Sequence, residues 1–137
     1  MDDFKQFVMD QWGADLKGKK FLMTGEYKYW LVSEEVAKKK IIGEVAGYYF
    51  ARRNKDGTYR LSIEGSQIVG PLSTKNVVEI NDKELWNWLR GIDIENNHDQ
   101  MGWVILKHKD DFVGCGKAFT NGILNHVPKE RRIKNLI

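Results

Sequence analysis

Gly114-Cys115-Gly116-Lys117, followed eight residues later by Asn125-His126-Val127-Pro128-Lys129-Glu130-Arg131-Arg132, is the stretch on which the reading of this chain turns. The first part has the look of a strand end that carries two glycines and a lysine. Glycine has no side chain to keep a ligand off the main chain. The second part is a tight turn that leads into a cluster of lysine and arginine, the residues that neutralise phosphates. Together they suit an anionic ligand with a backbone of its own, such as RNA. Pro128 fixes one dihedral and pushes Val127 into an extended conformation, a structural role that shapes the path of the basic segment.

The charge distribution points the same way. From Lys107 to the end, seven basic residues stand against three acidic ones, a local charge of +4. The remainder holds 15 basic and 16 acidic residues, so the positive excess lies entirely in the last quarter. Asymmetry of this kind points to a polyanion, with a solvated tail that keeps the protein soluble as the alternative. A chain of 137 residues is expected to form one domain, residues 1–137, with room for a real core. Its 42% hydrophobic and 30% charged content fits a soluble globular protein. No apolar run approaches the roughly 20 residues of a membrane helix, and Met1-Asp2-Asp3-Phe4-Lys5 lacks the pattern of a signal peptide. One cysteine permits no internal disulfide, which suits a reducing cytoplasm.

Working outward, Phe4, Val8, Trp12 and Leu16 recur every four residues and predict an amphipathic first helix, capped by Asp2 or Asp3 and ending near Gly13. Phe21–Met23 and Tyr27–Val32 read as strands, Ser33-Glu34-Glu35 as a turn or single helical turn. Ile41 to Arg53 is strand-like with breaks at Gly43 and Gly47, and Asp56-Gly57 predicts a hairpin to a strand over Thr58–Ile63. Glu64–Val69 reads as a short helix stopped by Gly70-Pro71. Asn76–Ile80 is a brief strand, and Asn81 with Glu84 forms a capping-box pattern before a helix that presents Leu85, Trp88 and Leu89 on one side. After a polar loop, Gly102–Lys107 and Phe112–Phe119 predict a final hairpin. Many short strands with a few short helices mean an α+β fold with a mixed or barrel-like sheet.

The motif also carries a family resemblance. Gly114-x-Gly116-Lys117, a turn, then Asn125-x-x-Pro128-Lys129-x-x-Arg132 resembles the end of the PUA-like RNA-binding domain attached to Sun-type RNA cytosine-5 methyltransferases, the RsmF group. The Gly43-centred strand, the Leu61–Gly65 region and the Glu84–Gly91 helix before Gly102-Trp103-Val104 are similar in order. Leu124 stands where that family's turn often carries a lysine. The resemblance implies a PUA-like mixed-sheet pseudobarrel with a few short helices. It implies a stand-alone module that binds structured RNA, tRNA or rRNA, in RNA modification or ribosome assembly. An RNA-modifying enzyme acting in trans is the protein partner it suggests. The methyltransferase half of the family has a glycine-rich nucleotide loop and two cysteines in Pro-Cys and Thr-Cys contexts. This sequence has neither, so no catalytic role and no cofactor are expected.

The candidate RNA-binding residues are Lys117, Asn125, His126, Lys129, Arg131 and Arg132, with Arg52 and Arg53 on a second surface. Arg132 is suited to a forked phosphate contact and Lys129 to a point charge. Asn125 either contacts RNA or bonds its own backbone. His126 offers a flat face for a base. In Tyr48-Tyr49-x-x-Arg52-Arg53, alternation puts one member of each pair on the solvent face. Most of Trp12, Trp30, Trp86, Trp88 and Trp103 should be core, although Trp86 and Trp88 point to roughly opposite sides of their helix. Cys115 shows no neighbouring base and reads as structural. His98 and His108 show no ligand spacing, so no metal is expected. Two rival functions remain. One is a nucleic-acid-processing enzyme that uses Glu64, Asp93 and His98; the other is a non-catalytic protein-interaction subunit.

Overall fold

Phe4, Val8 and Trp12 lie four residues apart on helix α1 (Asp2–Trp12), and all three are fully buried. The Phe4 ring stacks on Tyr29 at 4.7 Å between centroids and meets Phe21 and Phe50 edge-on. The helix stops where Gly13 takes a φ of 68°. The computed structural model describes residues 2–39, 47–96 and 100–134. The expected strand start at Ile41, its break at Gly43, and His98 lie outside the described residues.

Strands β1 (Lys20–Thr24), β2 (Lys28–Val32), β3 (Gly47–Arg53) and β4 (Tyr59–Leu61) form an antiparallel sheet in that order. A short helix, α2 (Glu34–Lys39), follows β2, a full helix where one turn was expected. The predicted hairpin at Asp56-Gly57 joins β3 to β4. Gly57 has a φ of 85°, and the Asp56 carboxylate accepts both the backbone N–H and the hydroxyl of Thr58. Strand β4 ends earlier than the periodicity suggests because Ser62 caps helix α3 (Ile63–Val69). Its Oγ accepts from the Gly65 N–H at 2.9 Å and donates to the Tyr49 carbonyl at 2.7 Å.

One irregularity sets the outer face of this sheet. Tyr29 pairs with Ala51 but Trp30 pairs with Tyr49, so Phe50 is an extra residue in β3. Phe50 and Ala51 are both buried in the core. Tyr49 and Arg52, three residues apart, therefore come to share the outer face. Strict alternation would have separated them.

The second sheet runs β5 (Val77–Glu79), β6 (Gly102–His108), β7 (Asp111–Phe119), β8 (Gly122–Leu124), with β5 parallel to β6 and the rest antiparallel. Strand β8 replaces what reads in the sequence as only a turn. Helix α4 (Asp82–Leu89) lies between β5 and β6 and has the predicted capping box, with both reciprocal bonds made. Sheet two is buried on both sides, which explains the unbroken apolar run Trp103-Val-Ile-Leu in β6. Trp103, Ile105 and Cys115 face the first sheet and share its core with Phe4, Phe50, Tyr59 and Leu61. Val104, Leu106 and Ala118 form a second cluster with Trp88, Ile94, Ile123 and Val127. The fold is thus α+β, and the expected pseudobarrel takes the form of two four-stranded sheets facing each other, with α4 behind the second.

Candidate nucleic-acid interface

The glycines of the decisive motif lie within β7, not at its end, and both are buried. A Cβ on Gly116 would come within 2.6 Å of the Trp88 ring, 2.7 Å of Ile123 and 2.8 Å of the Leu124 carbonyl. A Cβ on Gly114, where φ is 147°, would meet Trp88 Nε1 at 3.0 Å. The space in front of these glycines, expected to admit a ligand, is filled by the Trp88 indole, which is fully buried. Gly-x-Gly here lets α4 lie close against the sheet. Cys115, between the glycines, faces the other core, and burial pushes its thiol up to about 12.

Asn125 is a fastener. Its amide donates to the carbonyls of Trp88 and Ile92 at 2.8 and 3.2 Å, and its Oδ1 accepts from the Val127 N–H. Its own N–H donates to the Asp93 carboxylate. This is the backbone-bonding role that the sequence left open, extended to the end of α4. It locks the chain so that Val127 reaches the second core and His126 turns towards the first sheet.

His126 is where the sheets, the terminal segment and the charge meet. Its Nδ1 lies 2.7 Å from the Arg60 guanidinium and accepts from it, since guanidinium only donates. Its ring lies 5.1 Å from that of Trp103 at 52°. Burial, then the positive charge of Arg60, holds His126 below its ordinary pKa, against the opposing influence of Asp93. Lys117 lies 5.8 Å over the Trp103 ring and 3.8 Å from Asp56. Trp103 is itself fixed by donating Nε1–H to Thr58 at 2.9 Å. Two cations are therefore held around one aromatic pair, Arg60 by a hydrogen bond to a neutral ring and Lys117 by its contact with Trp103 and a 3.8 Å ion pair with Asp56.

The remaining candidates divide. Arg131 pairs with Glu64 at 2.6 Å. Arg132 donates from Nε to the Val127 carbonyl at 3.0 Å and lies flat on Gly91, where a Cβ would come within 2.4 Å of it; its Nη groups make no hydrogen bond among the described residues. Lys129, on a 3-10 turn (Lys129–Arg131), is exposed and has no ion pair among the described residues. On the first sheet, Arg52 lies 4.6 Å over the Tyr27 ring, and Arg53 is exposed beside it. Arg60 was overlooked by sequence reasoning. The signal was available, since a hairpin at Asp56-Gly57 places it opposite Arg52, and the register confirms that pairing. Trp86 is half-buried under Arg90, away from this cluster.

A cavity of about 220 Å³ opens between β4 and the terminal segment, lined by Tyr49, Arg60, Leu61, Ile63, Glu64, Cys115, His126, Val127, Pro128 and Arg131 among others. Glu64 and Asp93, the acids of the enzymatic rival, serve Arg131 and the Asn125 backbone respectively. Among the described residues, no group of three or more His, Cys, Asp or Glu side chains could hold a metal ion, and His108 instead bonds Asp82. No helix among the described residues is long and apolar enough to cross a membrane.

Comparison with known proteins bears on the same segment. Residues 75–133 match the family model of the methyltransferase RsmF PUA domain. Ribosomal RNA small subunit methyltransferase F of Aliivibrio fischeri (strain ES114) is 28% identical over 127 residues, 85% of this chain and 27% of that protein. The protein of the same name from Vibrio cholerae serotype O1 is 29% identical over 130 residues, 90% of this chain and 27% of its own length. That of Vibrio vulnificus (strain YJ016) is 31% identical over 91 residues, 66% and 19%. The chain thus spans about a quarter of the length of the curated relatives it matches over most of its own. The resemblance carried by Gly114–Arg132 holds: over residues 75–133, from β5 through Lys117, Asn125 and Arg132, this chain is similar to the PUA domain of the RsmF methyltransferases.

Proposed function

We propose that this chain is an RNA-binding module, with ribosomal RNA the first class to test and tRNA the second, and that it presents RNA to modification chemistry supplied elsewhere. The observation that carries the reading is the arrangement at His126. Lys117 and Arg60 are held within hydrogen-bond or cation–π distance of one Trp103–His126 pair, inside or beside the segment that matches an RNA-methyltransferase PUA domain. Arg60, held by a neutral ring, keeps its charge available for phosphate; Lys117 shares its charge with exposed Asp56, and exposed Lys129 extends the same edge. Asn125 and Arg132 set the path of that edge from within; Arg131, with Glu64, forms its rim. A core shared by both sheets supports reading the chain as one folding unit. The lone buried Cys115 suits a reducing cytoplasm.

Salt titration of binding to small-subunit rRNA fragments and to tRNA tests this. If Lys117, Arg60, Lys129 and one further first-sheet cation each neutralise a phosphate, the slope of log affinity against log salt lies near −3 to −4. Binding that is absent at low salt, or that does not respond to salt, overturns the reading.

A further inference from the structure

Three cations stand in one row across the first sheet. The register pairs Lys28 with Arg52 and Arg52 with Arg60, so their side chains leave the same outer face of β2, β3 and β4. Like charges placed directly opposite destabilise a sheet. Here no ion pair relieves them among the described residues; their close contacts are aromatic. Lys28 Nζ lies 6.0 Å from both the Tyr27 and Tyr49 rings, and Arg52 lies 4.6 Å over Tyr27. Glu26, on the turn before Tyr27, lines the same surface groove as Arg52 and Arg60. At the end of the row Arg60 bonds His126 and lines the 220 Å³ cavity, with Tyr49 on the adjoining wall. The row and the cavity are thus one continuous feature. The cavity is smaller than the roughly 300 Å³ lower bound of drug-sized pockets, which suits one heterocycle. Its walls are apolar at Leu61, Ile63, Val127 and Pro128, and its rim carries Glu64, Glu130 and Arg131.

We infer that this strip binds an unpaired stretch of RNA, with successive phosphates on Lys28, Arg52 and Arg60 and one unstacked base in the cleft between Tyr49 and Pro128. The inference rests on the RNA-binding reading above and deepens it. A cation row that crosses three strands spans about 10 Å at the usual strand spacing, which matches a short run of backbone. Stacking on tyrosine tolerates any base, because every base has a π-face. A paired base cannot enter the cleft without leaving its helix, so the site selects loops, bulges and ends over duplex. The three cations lie outside residues 75–133, the cleft takes its other wall at His126 and Pro128 from that segment, and the β3 bulge brings Tyr49 onto the face of Arg52.

The test compares an eight-nucleotide single-stranded RNA carrying 4-thiouridine with a blunt duplex of the same sequence. Affinity is measured by fluorescence anisotropy, and photo-crosslinks are mapped by mass spectrometry. The single strand is expected to bind more tightly and to crosslink at Tyr49, His126 or their immediate neighbours. Arg52→Gln, with melting checked in parallel, should make the salt slope shallower by about 0.7. Tyr49→Leu should weaken single-strand binding roughly tenfold, with melting checked in parallel. Equal binding of both RNAs with Arg52→Gln and Tyr49→Leu unchanged overturns this inference while the RNA reading stands. Crosslinks confined to Lys129–Lys134 do the same. Competition by a polyglutamate peptide as effective as RNA would assign the strip to an acidic protein partner instead. Failure of either RNA to bind at low salt removes the inference and the RNA reading together.

Discussion

At the level of single residues, the motif glycines and asparagine act inward and the histidine acts between the sheets. Gly116 faces three groups that cannot withdraw easily: a buried indole, a buried isoleucine and a backbone carbonyl. Gly116→Ala therefore overpacks the contact between α4 and β7. Overpacking a tight core costs roughly 1–3 kcal/mol. Denaturant unfolding should show that loss, while RNA affinity of the folded fraction stays at the wild-type value. A variant as stable as wild type would mean that Trp88 can shift, and the account of Gly-x-Gly as a seat for α4 would fail. The residue types at Lys117 and His126 were legible in the sequence as chemistry, but their partners were not. Arg60 and Trp103 lie 66 and 23 positions from His126, and only the fold brings them together.

Among the elements, those with local signals were legible and those set by tertiary contact were not. The capping box at Asn81, the hairpin at Asp56-Gly57 and the four-residue stripe of α1 are all decided within a few residues of themselves. The β3 bulge was hidden, because Phe50 is an extra residue only relative to its partner strand. Strand β8 was hidden because three residues, Gly122-Ile-Leu, carry too little pattern to declare a strand; pairing with β7 and a bridge from Ile94 make it one. The terminal segment shows the same divide between two neighbours. Arg132 spends its Nε on Val127 and covers Gly91, whereas Lys129 is exposed and unpaired among the described residues. Arg132→Lys keeps the charge but loses the Nε donor, so it should cost about 1–2 kcal/mol of stability. Lys129→Ala should leave melting unchanged, weaken RNA binding and make the salt slope shallower by about one unit. Parallel melting and binding curves check both. Reversed results, a stable Arg132→Lys with impaired binding and a destabilised Lys129→Ala, would exchange the two roles.

At the scale of the whole molecule, one hydrogen-bonded ring ties three parts together. His126 sits on the terminal segment, Arg60 on the first sheet and Trp103 on the second. Burial and the charge of Arg60 keep the His126 ring neutral in the folded state below its ordinary pKa of 6.5. In the unfolded chain the ring takes up a proton as the pH falls through about 6.5. Between that value and the lower folded one, the unfolded state binds more protons. Stability contributed by the neutral ring is therefore complete above about pH 6.5 and is lost as the pH falls below it. Asp56 and Asp82, held below the ordinary carboxylate value of 3.8 chiefly by hydrogen bonds from Thr58 and His108, lose their contribution only at more acid pH. Melting temperature measured at pH 7.5, 6.5 and 5.5 should thus fall more steeply for wild type than for His126→Gln, which can still accept from Arg60 but does not titrate. The stability difference should move against wild type towards acid pH, because protonation takes the acceptor from the imidazole and leaves it on the glutamine. Parallel curves would show that His126 titrates alike in both states, and that its bond to Arg60 does not join the terminal segment to the first sheet in solution.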